Sequence, residues 1–457
     1  MANDFMRMYR QTLQLGLIKV VQDLFPGENL KIPHSILDGI FCELSDSVVS
    51  PREAKLIKAR LSEWVQQNNE IKVLGKEGSF YKYDVDGTII KGICPAFKDP
   101  SVIKDFDIID FLPGFILHFM DDDNNFILPE QLSATFAETQ RWLENLHLDK
   151  VKDVNEYIKE GRYLELINVA EALHEKKISN IADMILQQKR TVRIILISGP
   201  SSSGKTTFAQ RLATQLKVNG LKPISLSLDN YFVNRDETPL DEFGQYDFDA
   251  LEALNLQLLN EQMVQLIKGE CVETPIFNFK TGTREPHGNN LQLKYDDILI
   301  VEGIHALNPN LLTSINRNYF FNIYISALFQ LNIDDYNRVP TTEARLIRRI
   351  IRDEQFRGFL PERTLNQWAS VRRGENSNVF KYQEEADVMF NSSLLYELNA
   401  LRSFAEPLLK TVPIESEHYD AAQRLLNLLS FFEPMDIEKV PFNSILREFI
   451  GGCVYEH

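Results

Sequence analysis

Residues 194–210, IILISGPSSSGKTTFAQ, constrain this chain more than any other stretch, because an apolar run breaks into a Gly/Ser loop and resumes as a helical pattern. Within it Gly199-Pro200-Ser201-Ser202-Ser203-Gly204-Lys205-Thr206 fits G-x-x-x-x-G-K-[ST], and Thr207 extends it. Glycines at this spacing let successive backbone N–H groups curl around a triphosphate. A helix starting near Lys205 adds its unpaired N–H groups and positive dipole end. The motif assigns Lys205 to the β- and γ-phosphates and Thr206 to Mg²⁺.

Two further segments build on this loop. Lys222-Pro-Ile-Ser-Leu-Ser-Leu-Asp229 reads as a second buried strand ending in an acid, and Asp296 to Glu302 as a third. Strands alternating with helices predict an α/β fold of the P-loop NTPase type, a mostly parallel sheet flanked by helices with ligands at the carboxyl ends of its strands. Phosphoryl transfer needs screening of the triphosphate charge and a carboxylate to orient the acceptor hydroxyl. Glu302 fits the Mg²⁺ role, and Asp229 fits the acceptor-activating base that shares the metal. A lone acid at a strand end is commonly a helix cap or a solvated charge; two beside a P-loop point to chemistry. The pattern predicts an ATP-dependent, Mg²⁺-requiring kinase of a small molecule.

Composition narrows the partners. The chain has 457 residues, 44% hydrophobic and 25% charged, enough for about three domains. No apolar run approaches the roughly 18 residues of a membrane span. The start, MANDFMRMYRQ, lacks an apolar signal region, and Cys42, Cys94, Cys271 and Cys453 are scattered without a C-x-x-C pair, so a reducing cytoplasm is expected. A net charge of −16 argues against general adhesion to nucleic acid or an anionic membrane. Against that background, Arg338 to Arg357 holds six arginines and three acids, which suggests a phosphate-handling site unless it is a solvated basic face.

In chain order, Asp4 to Leu24 reads as a helix stopped by Phe25-Pro26-Gly27, a hairpin turns at Leu37-Asp38-Gly39, and Ser50-Pro51-Arg52-Glu53 opens a second helix. A small β-rich unit follows, then FDIIDFLPGFILHF and the acidic turn Asp121 to Asn125, read as a solvated loop. The expected domains are 1–125, a helical connector 126–188, the P-loop domain 189–415 and a helical tail 416–457, where ILREFIGGCVYEH carries no identified chemistry. The helix, FPG and hairpin order of the first 70 residues resembles the second N-terminal domain of threonyl-tRNA synthetases, an α+β unit. That domain edits with an H-x-x-x-H pair, and Gln11 and Leu15 stand at the matching positions, so editing is not expected. His34 and His118 are read as structural.

GPSSSGKTT, LSLDNYF, YDFDALEAL, PIFNFKTGTRE, ILIVEGIHAL, TTEARLIRRIIRDEQFRG and EEADVMFNSSL occur in the order expected of the uridine kinase and phosphoribulokinase family. The resemblance implies a nucleoside acceptor, with ATP and Mg²⁺. It implies Asp229 as catalytic acid with Tyr231 beside it, Asp247 on the ribose hydroxyls and Arg284 in the acceptor loop. Arg345, Arg348, Arg349 and Arg352 share a helix face and, with Arg357, resemble a lid. Arg349 and Gln367 match acceptor-side positions; Arg352 and Arg357 match nucleotide-side ones. Uridine kinases read the pyrimidine with a Tyr and a His, where this chain has Phe277 and Gly282, and a further lid arginine is Phe359. His287 is nearby but reads as a surface residue, and Arg372 and Arg373 stand equally as phosphate contacts or solvated charges. Family members are often oligomeric, which leaves a homo-oligomer open. Two other readings stay open: a sugar or polyol kinase, and an ATP-gated regulatory or RNA-binding protein without acceptor turnover.

Overall fold

The β-branched run Ile194–Ser198 (β1) is buried at every position, as expected of a central strand with helices on both faces. It pairs in parallel with Asp297–Glu302 (β3) on one side and Phe320–Ser326 (β4) on the other. Lys222–Ser227 (β2) and Val388–Asn391 (β5) form the edges, giving the order β2-β3-β1-β4-β5, parallel throughout. In this computed structural model residues 2–36, 39–67, 70–119 and 129–455 are described. Its chain divides into two compact units, 1–160 with 329–340 and 423–433, and 161–328 with 341–422 and 434–457.

The sheet belongs to the second unit. Ile194, Leu196, Leu299, Val301 and Tyr324 pack on one side against Leu259, Met263 and Leu266. Helix Lys205–Val218 (α2) follows the P-loop, and helix Tyr163–Gln187 (α1) is fastened to it by Arg211, which reaches Glu171 at 3.3 Å and Glu175 at 2.8 Å. One strand departs from expectation. β2 is an edge strand, so Lys222 and Ser225 are exposed, and it ends at Ser227; Asp229 lies in the single 3₁₀ turn Leu228–Tyr231 that follows.

The first unit is built on helix Ala2–Leu24, whose Leu13, Leu17, Ile18 and Val21 are buried in one core with Ile57, Leu61 and Trp64 of helix Pro51–Gln66. Gly16 permits this approach, since a Cβ there would stand 2.2 Å from the Trp64 ring. The second helix opens with a capping box, Ser50 with Glu53, and Pro51 in its first turn. FDIIDFLPGFILHF forms an antiparallel hairpin of Asp107–Phe111 and Gly114–His118 that extends Gly39–Leu44. Ser35–Ile36 pairs with Gly39–Leu44 as a hairpin, but Leu37 and Asp38 of the expected turn lie outside the described residues, as does the acidic turn at 121–125. Helices Glu130–Leu146 and Val151–Lys159 also fall in this unit. Among the described residues no helix is long and apolar enough to cross a membrane.

Candidate phosphate-transfer site

The P-loop geometry depends on two glycines. A Cβ at Gly199 would meet the Ile325 carbonyl at 2.0 Å, and Gly204 adopts φ +84°, the left-handed region, to turn the loop into α2. Pro200, Ser201, Ser202 and Ser203 form the arch between them. Lys205 folds its ammonium across this arch, donating to the Gly199 and Pro200 carbonyls at 3.0 and 3.2 Å. Burial pushes its pKa down, while Glu302 and Asp229 pull it back up. Thr206 is half-buried in the first turn of α2; Thr207 is buried, and its hydroxyl donates to Glu448 at 2.9 Å.

The parallel register brings the acids to this loop. Glu302 ends β3 opposite Ser227 of β2 and Ile197 of β1, and the Ser227 hydroxyl donates to its Oε1 at 2.8 Å. Burial first, then the charge of Asp229, raises the Glu302 pKa, with Lys205 opposing. Burial likewise raises Asp229, opposed by Lys205, Arg357 and Arg352, and the residue stays exposed to solvent, which weakens the effect. Two neighbouring carboxylates, Asp229 and Glu302, close to the P-loop lysine make oxygen donors of the kind Mg²⁺ takes together with phosphates. The site therefore fits the ion.

Helix Thr341–Arg357 (α3) brings the arginines, which divide into two groups. Arg345 pairs with Glu375 and donates to the Ser201 carbonyl at 3.0 Å; Arg348 pairs with Glu397 at 2.6 Å and donates to the carbonyls of Ser202 at 3.3 Å and Ser392 at 2.9 Å. Both are buried and grip the P-loop backbone, so of the expected lid set these two act as structural struts. Arg349, Arg352 and Arg357 instead share one buried carboxylate, Asp353, at 3.3, 2.9 and 3.2 Å. Arg349 also donates to the Ser201 hydroxyl at 2.7 Å; burial and Arg352 pull its pKa down to about 10, leaving it charged at neutral pH.

On the acceptor side Tyr231 is buried and its hydroxyl donates to Gln262 at 2.7 Å. Arg284 donates to the carbonyls of Phe232 and Tyr231 at 3.0 and 3.2 Å, bracing the turn that carries Asp229. Phe277, half-buried, packs with Phe232 and Phe279. Gly282 has φ +74°, and a Cβ there would stand 2.7 Å from the Arg235 guanidinium, which fills that side of the loop. Asp247 caps the Asp249 N–H at 3.1 Å. Gln367 is half-buried on helix Pro361–Asn378 (α4), His287 is exposed, and Phe359 lies under Arg363. Arg372 reaches Glu375 at 3.1 Å and Arg373 lies 3.7 Å from Asp241.

Four acids escaped the reading of the sequence. Glu375 accepts from the Ser201 N–H at 2.9 Å and Asp353 anchors three arginines. Asp249 has Arg349, Glu375 and Asp229 as charge neighbours. Glu448 lies on Thr207, in a tail whose Ile445 also touches Gly204, so ILREFIGGCVYEH is part of the phosphate loop's surroundings. Their only local signals are an acid beside the arginine run for Asp353 and for Glu375, and a second acid in YDFD for Asp249.

Residues 194–394 match the model of the phosphoribulokinase / uridine kinase family. A uridine kinase of Lactobacillus johnsonii is 30% identical over 205 residues, covering 45% of this chain and 88% of that one. A uridine kinase of Bacillus pumilus is 29% identical over 180 residues, 39% of this chain and 76% of the relative. Among solved structures, a possible uridine kinase from Bacillus stearothermophilus covers 47% of this chain and 97% of its own, at 20% identity and TM-score 0.32.

Proposed function

The chain belongs to the phosphoribulokinase and uridine kinase family through residues 194–394, and on that premise we propose that it phosphorylates a hydroxyl of a small acceptor, a nucleoside, with ATP as donor. The observation that carries this reading is the meeting of Lys205, Asp229 and Glu302 beyond the carboxyl ends of three neighbouring strands. The P-loop N–H groups and Lys205 receive the phosphates, and Arg349, Arg352 and Arg357 screen the transferred group. Asp229 orients the acceptor and takes its hydroxyl proton as the oxygen attacks the γ-phosphorus and ADP leaves. Its raised pKa makes it a stronger base, and its exposure leaves it reachable. Thr206, Asp229 and Glu302 are the residues that would hold Mg²⁺, which when bound neutralises charge on the phosphate oxygens.

Asp247 and Asp249 serve the acceptor's hydroxyls, with Phe277 and Gln367 lining the same side. Tyr231 and Arg284 act by positioning, since their polar atoms are engaged by Gln262 and by backbone carbonyls. A sugar or polyol is the second acceptor class, favoured by Phe277 and Gly282, neither of which offers a side-chain hydrogen bond to a base. We read the first unit as related to the second N-terminal domain of threonyl-tRNA synthetases without editing chemistry; Gln11 and Leu15 are both buried and neither carries an imidazole.

The test is ADP release from Mg-ATP against a panel of nucleosides, ribose and inositol. One nucleoside should stimulate turnover, and Asp229→Asn should lower that turnover by about 10²- to 10⁴-fold while ATP still binds. Near-normal turnover in Asp229→Asn removes the base assignment; bound ATP with no stimulation by any acceptor removes the kinase reading.

A further inference from the structure

We infer that the C-terminal tail makes an autoinhibitory contact with the phosphate loop: the Glu448 carboxylate occupies an anion position at the start of α2 that a nucleotide phosphate has to take from it. The inference rests on the reading of the P-loop as the triphosphate site.

The position is an N–H outside the helix ladder. The first N–H groups of an α-helix lack an intrahelical acceptor, and in a P-loop the backbone N–H groups of this region cradle phosphates. In α2 the Phe208 N–H donates to the Gly204 carbonyl at 3.0 Å, and Thr207, one residue earlier, contributes one of the open groups. Its N–H faces the Glu448 Oε2 at 3.4 Å, and its hydroxyl donates to the same oxygen at 2.9 Å. An anionic oxygen of the protein thus sits where the loop presents its donors. The charge of Glu448 also reaches the reaction centre: after Glu302 and Asp229 it is the third acid opposing the fall that burial imposes on the Lys205 pKa.

The tail is anchored well enough to deliver this carboxylate. Arg447 donates to the Val440 and Ile437 carbonyls at 2.6 and 3.1 Å, and Phe449 is buried with the Arg348 guanidinium carbon 4.9 Å from its ring centre. Ile445 packs against the loop, since a Cβ on Gly204 would stand 2.5 Å from its side chain. Glu448 itself is half-buried, so its side chain can leave Thr207 while the backbone stays in place. The segment lies beyond residues 194–394, the part that matches the family. Among the described residues no cation pairs with Glu448, so its charge opposes an incoming polyphosphate. Neutralising it should tighten nucleotide binding.

The experiment titrates the full chain and its Glu448→Gln variant with Mg-ADP by calorimetry, at low and at high sodium chloride. Glu448→Gln should bind about tenfold more tightly at low salt, and the gap should narrow as salt screens the repulsion. Without nucleotide the variant should melt at or below the wild-type temperature, because a carboxylate at a helix N-terminus stabilises that helix. Tighter binding without a gain in unliganded stability is a split that a purely structural contact does not produce. The inference is overturned if the wild type binds Mg-ADP and Glu448→Gln binds it equally or more weakly, which makes Glu448 a strut or a support of the nucleotide site. If neither protein binds Mg-ADP, the P-loop reading fails and the inference falls with it.

Discussion

Asp249 stands among Glu375, Arg349, Asp247 and Asp229; burial and the like charges together lift its carboxyl to about 7, against the opposing pull of Arg349. An acid whose folded pKa exceeds its unfolded value of 3.8 holds, in the native state, a proton that the unfolded chain has lost between those two pH values. Its contribution to stability is thus largest at low pH and declines as pH rises toward 7. Asp249→Asn should erase that slope, so its melting temperature should gain on the wild type between pH 5 and 8; a constant difference across that range removes the assignment. Activity should move the other way, since an ionised carboxylate accepts a hydrogen bond from an acceptor hydroxyl more strongly than the protonated acid does, and kcat/KM should rise with an apparent pKa near 7. The sequence reading favoured Asp247 two residues earlier. YDFD offers two acids within three residues, and spacing alone does not show that Asp249 has Arg349 as a charge neighbour.

Helix α3 carries the same lesson at a larger scale. Spacing identifies the helix and its arginine stripe, because i, i+3, i+4 and i+7 repeat on one face of any α-helix. Spacing is silent on depth, and depth divides the stripe into struts under the P-loop and a group facing Asp353. That carboxylate is fully buried and receives Arg349, Arg352, Arg357 and the Thr364 hydroxyl, so it both neutralises and aims the three cations. Removing one partner of a buried charge pair costs about 3–5 kcal/mol. Asp353→Asn should therefore lower stability by an amount of that order, measured by denaturant unfolding, and should raise KM for ATP in protein that still folds. Unchanged ATP affinity would mean that the arginines are aimed without it. The P-loop, the strands ending near Asp229 and Glu302, and the first helix were legible because each is a local pattern. Edge placement of β2 depends on the order of strands distant in the chain, and the approach of Glu448 and Ile445 to the loop joins residues more than 200 positions apart; neither left a local trace.

The whole molecule shows why chain order is a poor guide to its units. Residues 329–340 leave the second unit and enter the core of the first, then the chain returns at Thr341 to build α3. Within the first unit this excursion is well held: the Asp335 carboxylate lies 2.5 Å from Lys150 and accepts from Asn29 at 2.8 Å. Its backbone carbonyl accepts from the Ile32 N–H at 2.9 Å, and Val151 donates to the Asn332 carbonyl at 2.8 Å. Leu331, Ile333 and Val339 are buried there. Each such side chain contributes about 1.5–3 kcal/mol by burial, against a total domain stability of about 5–15 kcal/mol. A fragment cut at residue 160 loses all of them, and with them the partners of Ile32, Asn29 and Lys150. It should therefore melt at least ten degrees below the first-unit transition of the full chain, or without cooperativity, when followed by circular dichroism. A peptide of residues 329–340 fused to its end through a flexible linker should recover part of the loss. A fragment 1–160 that melts cooperatively within a few degrees of the full chain would show that the excursion is an ornament on a core already complete without it.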